Sequence, residues 1–147
     1  MDSQLEDALN QMLREYEEYM ASIAREVAQQ LSGESKLTIF RSYMYHIYEY
    51  VASAQAFQDA QRFFSYQAMN RGISSAEVDA YLHEDGYIQE VVLRASLRSI
   101  AVLARELQVI NEFRINWNLL HRRFVEAAEE AYENYMASEE CVARIYS

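Results

Sequence analysis

The sequence predicts an all-α protein, an antiparallel bundle of four long helices and one short one. Three observations lead there. The 147 residues include no proline and three glycines, so few positions force a helix to stop. Apolar residues recur at steps of three and four over long runs such as Leu5 to Val27. No stretch of useful length alternates with period two, so no sheet is expected. The length is that of one domain, 1–147, large enough to bury a proper core.

The first helix is expected to start at Ser3, which has capping-box spacing to Glu6. Leu5, Leu9, Met12, Tyr16, Met20, Ile23 and Val27 form its inward stripe, and Ser32-Gly33 reads as its end. A second helix is expected from Ser35 to Asn70, long enough that a kink or break is allowed. Its stripe is Leu37, Phe40, Met44, Ile47, Val51 and Ala54, continued by Phe57 or Gln58, Gln61, Phe64 and Ala68, with Asn70-Arg71-Gly72 as C-cap.

A short third helix should start at a second capping box, Ser74 with Glu77, flanked by a staple of Ile73 and Val78. Glu84-Asp85-Gly86 interrupts it, and Asp85 can cap the next helix, Gly86 to about Ile110. There Ile88, Val92, Ala95, Ile100, Leu103 and Leu107 should face inward. The stretch from Asn111 to Asn116 reads as a connection or as continuing helix. The last helix carries Trp117, Leu120, Phe124, Ala127, Ala131, Tyr135, Val142 and Ile145.

The formal net charge of −10 disfavours direct binding of nucleic acid and suits docking on a protein with a basic surface. Residues 1–34 hold eight acids and two bases, and residues 125–147 hold six acids and one base. Residues 88–124 hold six arginines and three glutamates. This layout fits acidic outer helices packed on basic inner ones. It also fits an acidic surface, made by the first and last helices together, that docks on a basic partner. Glu129, Glu130 and Glu133 would lie on that surface. The single cysteine, Cys141, rules out an internal disulfide and points to a reducing, cytoplasmic setting; its acidic neighbour Glu140 speaks against a nucleophilic thiol. With no apolar run of membrane-spanning length and an acidic N-terminus, no membrane association is expected.

The aromatic stretch Phe40 to Phe64 is the organising helix. Tyr43, Tyr45, Tyr48 and Tyr50 cover more than half of its circumference, so they cannot share one inward face. Either neighbours wrap this helix completely or some of these tyrosines lie on an interface, which can include self-association. Tyr135, among the acids of the last helix, belongs with the interface set. Di-iron bundles use Glu-x-x-His pairs, but Tyr43, Ala80 and Asn118 stand three before His46, His83 and His121, so no cofactor is expected. His46 with Glu49 and Asp79 with His83 are the pairs that could face together.

The run LTIFRSYMYHIYEYVASAQAFQDAQRF, followed by AYLHEDGYIQEVVLRASL, resembles haem-oxygenase-like iron-containing oxidases. That family has an aromatic-rich helix of this kind, then a helix with an acid-acid-Gly-His signature. Here Glu84-Asp85-Gly86-Tyr87 stands in its place, so Glu84 keeps a ligand position and Tyr87 replaces the metal-binding His. The resemblance implies the fold, or a relative that has lost its iron, with a residual site near His46, Glu49, His83 and Glu84. Separately, Arg41, His46 and Tyr48 have the Arg-x4-His-x-Tyr spacing of HEPN ribonucleases, which are also small all-α proteins. That likeness implies Arg41 holding a phosphate and His46 acting in RNA cleavage. Residues five apart on a helix do not share a face. The expected function is therefore non-catalytic: a protein-interaction role of inhibitor, immunity or adaptor type, such as phages and mobile elements encode.

Overall fold

The computed structural model describes residues 3–30, 35–109 and 114–138. Every regular element among them is helical: α1 (Ser3–Gln29), α2 (Lys36–Ala52), α3 (Gln55–Asn70), α4 (Ser75–His83), α5 (Tyr87–Glu106) and α6 (Trp117–Met136). A 3-10 turn, Glu84–Gly86, joins α4 to α5. With α2 and α3 taken as two limbs of one broken helix, these are the four long helices and the short one. None of them is long and apolar enough to cross a membrane. Ser32-Gly33, residues 110–113, Cys141, Val142 and Ile145 lie outside the described residues.

The helix expected over 35–70 starts as read, with the Ser35 hydroxyl accepting from the Thr38 N–H at 3.1 Å. It breaks at Ser53-Ala54, where Ala54 takes a left-handed backbone at φ +67°. At the joint the Ser53 hydroxyl donates to the Tyr50 carbonyl at 2.8 Å, and the Ser53 N–H bonds to the Glu49 carbonyl at 3.0 Å. The break also resets the helical phase. Of the stripe read beyond Val51, Phe57, Gln61, Phe64 and Ala68 are buried as expected and Gln58 is half-buried, while Ala56 and Ala60 also turn inward and shift the buried face around the axis.

Two caps differ from expectation. Ser74 is the N-cap residue of α4, but its side chain makes no capping bond, so the box with Glu77 does not close. Gly86, not Asp85, is the N-cap of α5: Asp85 and Gly86 both take left-handed backbone, at φ 52° and 69°, and this turns the chain out of α4. The long helix α5 ends at Glu106, short of Ile110. Gln108 is left-handed there, and the Val109 N–H bonds back to the Ala104 carbonyl at 3.0 Å, a Schellman-type stop without glycine. The same closure works as expected after α3, where Gly72 is left-handed and the Ile73 N–H bonds to the Ala68 carbonyl at 2.9 Å.

Consecutive long helices alternate in direction, and the largest interface is between the two that consequently run parallel, α1 and α5. Glu17 pairs with Arg94 at 3.1 Å and the Met20 carbonyl accepts from Ser99 at 2.8 Å, so both sequences advance together. Small buried residues allow this close approach: Ala21 and Ala24 on α1, and Ala95, Ser96 and Ser99 on α5. The charge layout is partly used here, with acidic α1 paired to bases on its neighbours, Arg94 on α5 and Arg71 just after α3. α1 and α6 each pack on α5.

Candidate functional site

α2 is a partition between two grooves, and this resolves the problem of the four tyrosines. Tyr45 and Tyr48 face α6, whereas Tyr43 and Tyr50 face α1 and α3. Residues three and four apart share a helix face, so the quartet divides into pairs displaced by two.

The α2–α6 groove encloses about 640 Å³. Phe40, Met44 and Tyr48 of α2 and Leu120 and Phe124 of α6 line it, with the Tyr48 ring edge-on to Phe124 at 5.5 Å. Tyr45 and Leu119 stand at its rim, 63% and 43% exposed. α6 begins there because the Asn116 side chain accepts from the Leu119 N–H at 3.0 Å. Alanines 127, 128 and 131 are buried along its C-terminal half, whereas bulky Leu119, Leu120 and Phe124 occupy the half that borders the groove.

Arg41, Arg114 and Arg123 also line this groove, and no described lining residue is acidic. All three are exposed, and none has an ion-pair partner among the described residues. Further along α6, Glu126, Glu129, Glu130 and Glu133 are exposed and also have no ion pair among the described residues. The surface of α6 therefore runs from basic to acidic along its axis. With no acid in its first turn and no base in its last, this is the reverse of what the helix dipole favours. Helix stability does not account for it.

On the other side of α2, Tyr43, His46 and Tyr50 line a second groove of about 440 Å³ with residues of α1 and α3. Tyr43 is buried, and its hydroxyl donates to Ser99 Oγ at 2.5 Å, which in turn donates to the Met20 carbonyl. The Tyr50 hydroxyl bonds to Asp59, reaching across the helix break. Burial raises Tyr16, Tyr43, Tyr50 and Tyr87 above the ordinary phenol range, and the Asp59 carboxylate beside Tyr50 adds to its shift. The native state thus holds protons that an unfolded chain releases above about pH 10. Stability is complete below that pH and falls above it, with Tyr16 alone removing about 1.4 kcal/mol per pH unit. Urea midpoints measured from pH 8 to 11 should decline accordingly, with a shallower decline in Tyr16→Phe.

Several expected site residues are placed apart. Tyr135 is 1% exposed, with its hydroxyl on the Gln61 side-chain oxygen, so it belongs to the core and not to an interface. Tyr43 is likewise internal. Arg41 and His46 face opposite grooves and do not converge as the ribonuclease likeness requires. His83 is sandwiched against Tyr132 and Tyr135, within 3.4 Å of the Tyr132 hydroxyl and the Gln61 oxygen. Gln61 Oε1 can only accept, so a hydrogen bond there is donated by His83 Nε2. Glu84 is exposed near Leu5 and Tyr81, away from His46 and Glu49. Among the described residues no three His, Cys, Asp or Glu side chains are placed to share a metal ion.

Sequence reasoning missed the arginine-lined groove. Its signal was present in the recurrence of Leu37, Arg41, Met44, Tyr45 and Tyr48 on one face, but the partner wall comes from α6 and no spacing rule joins the two. Against family models, curated proteins and solved structures, the chain has no match.

Proposed function

We propose that this protein acts by binding a protein partner across the α2–α6 face, as an inhibitor, immunity protein or adaptor does, and not by catalysis. The observation that carries the reading is the α2–α6 groove itself: apolar walls, exposed Tyr45 and Leu119, and three arginines without ion-pair partners among the described residues. Tyr and Arg around a desolvated apolar centre are the residues that dominate binding at protein interfaces. The partner places apolar and acid-bearing residues in the groove and basic residues over Glu129, Glu130 and Glu133. Opposed charge blocks of this kind fix the orientation of a partner more than they add affinity.

Affinity capture from the native source, followed by binding measurements with the captured partner, tests this. Tyr45→Ala combined with Leu119→Ser should weaken binding about 30-fold or more, the loss of one strong anchor. Reversing Glu129, Glu130 and Glu133 to Lys should slow association and invert its salt dependence. Tyr66→Ser, on the other groove, should leave the affinity as it is. Equal capture by both docking variants would refute the assignment of this face.

A further inference from the structure

The groove on the other side of α2 has a feature that packing alone leaves unused. Tyr16 lines it, is 3% exposed, and its hydroxyl forms no hydrogen bond with any described residue. A buried hydroxyl without a partner is costly, and such groups are rare in folded proteins. The neighbouring phenols are committed, buried Tyr43 to Ser99 and half-buried Tyr50 to Asp59. Tyr16 thus supplies the groove with a hydroxyl donor that no described residue satisfies and that a ligand in the groove can engage.

The walls define what that ligand is. The Tyr16 and Tyr19 rings lie 5.2 and 5.7 Å from the Phe63 ring, forming a ladder along one wall. Tyr19 and Tyr66 at the mouth are 53% and 63% exposed, leaving ring faces open for stacking. The groove's carboxylate, Asp59, already receives the Tyr50 hydroxyl and the Gln55 amide, with Arg62 at 3.8 Å, so its charge is locally balanced. That disfavours a cation, although aromatic boxes often take one. Its volume, about 440 Å³, lies in the range of small-molecule pockets.

We infer that the α1–α2–α3 groove binds a small, neutral, planar heteroaromatic molecule, stacked on Tyr19 and Tyr66 and accepting a hydrogen bond from the Tyr16 hydroxyl at a ring nitrogen or carbonyl oxygen. This site is separate from the α2–α6 face and does not depend on the role proposed for it.

Quinoline and naphthalene are a matched pair of probes, alike in shape but differing in the ring acceptor. Ligand-detected NMR titration of the full chain should show saturable binding of quinoline, about 10-fold tighter than naphthalene, because naphthalene leaves the hydroxyl stranded. Tyr16→Phe should bring that ratio to about one while naphthalene affinity stays within about two-fold, which also shows the groove intact. Tyr19→Ala should weaken both probes, and Tyr45→Ala neither. Absent quinoline binding, equal binding of the two probes by the wild-type chain, or a preference that survives Tyr16→Phe would each overturn the inference.

Discussion

Phe57→Ala is expected to lower the unfolding free energy by about 3–5 kcal/mol. Phe57 is fully buried at the start of α3 and packs on both Tyr132 and Tyr135 of α6, with ring centroids 5.7 and 6.0 Å away. Those rings in turn hold His83 of α4, so one side chain supports the junction of three helices. Removing the ring forfeits its transfer free energy and leaves a cavity that the flanking aromatics cannot fill without leaving Gln61. A loss of that size is a large share of the 5–15 kcal/mol that ordinarily holds a domain folded. Urea denaturation followed by far-UV circular dichroism gives the value; a loss below about 1 kcal/mol would show that the junction collapses to fill the space.

The second large effect concerns Ser99. Ser99→Ala is expected to cost about 1–3 kcal/mol, because the buried Tyr43 hydroxyl then loses its acceptor. The Met20 carbonyl loses a second donor at the same time. Pairing the change with Tyr43→Phe removes the stranded hydroxyl, so the double variant should be more stable than the two single losses added together. Additive losses in that cycle would mean that the Tyr43 hydroxyl is satisfied from the groove and not by Ser99. Substituting a larger side chain, as in Ser99→Leu, should be worse than either, since it forces α1 and α5 apart where small residues bring them together.

Much of the architecture was legible in the order of residues. Leu9, Met12, Tyr16 and Met20 on α1, and Ile88, Val92, Ala95, Ile100 and Leu103 on α5, are buried as their spacing requires. Ser35, Gly72 and the interruption at Glu84–Gly86 mark real boundaries. Capping chemistry and helical period are local, and a local signal survives in one dimension. Spacing allowed a break in the helix over 35–70 without placing it; it falls at Ala54, where the Tyr50 hydroxyl and the Gln55 amide both bond Asp59. Gln108 takes a conformation that its side chain does not favour, because the chain must turn there.

The tyrosines show the division most clearly. Their helical positions already required that Tyr43, Tyr45, Tyr48 and Tyr50 point in different directions, because successive residues are rotated by a fixed angle about the axis. Which of them are structural was decided only by the neighbours: Tyr43 meets Ser99, Tyr50 meets Asp59, Tyr48 meets Phe124, and Tyr45 remains exposed. The same holds for charge. The excess of acid was plain in the composition, yet Arg41 at one point of the chain and Arg114 and Arg123 far along it come to line one groove. Period, caps and net charge follow from residues near in sequence. Grooves, their linings and the partners of buried hydroxyls depend on which helices pack together, which only the folded chain determines.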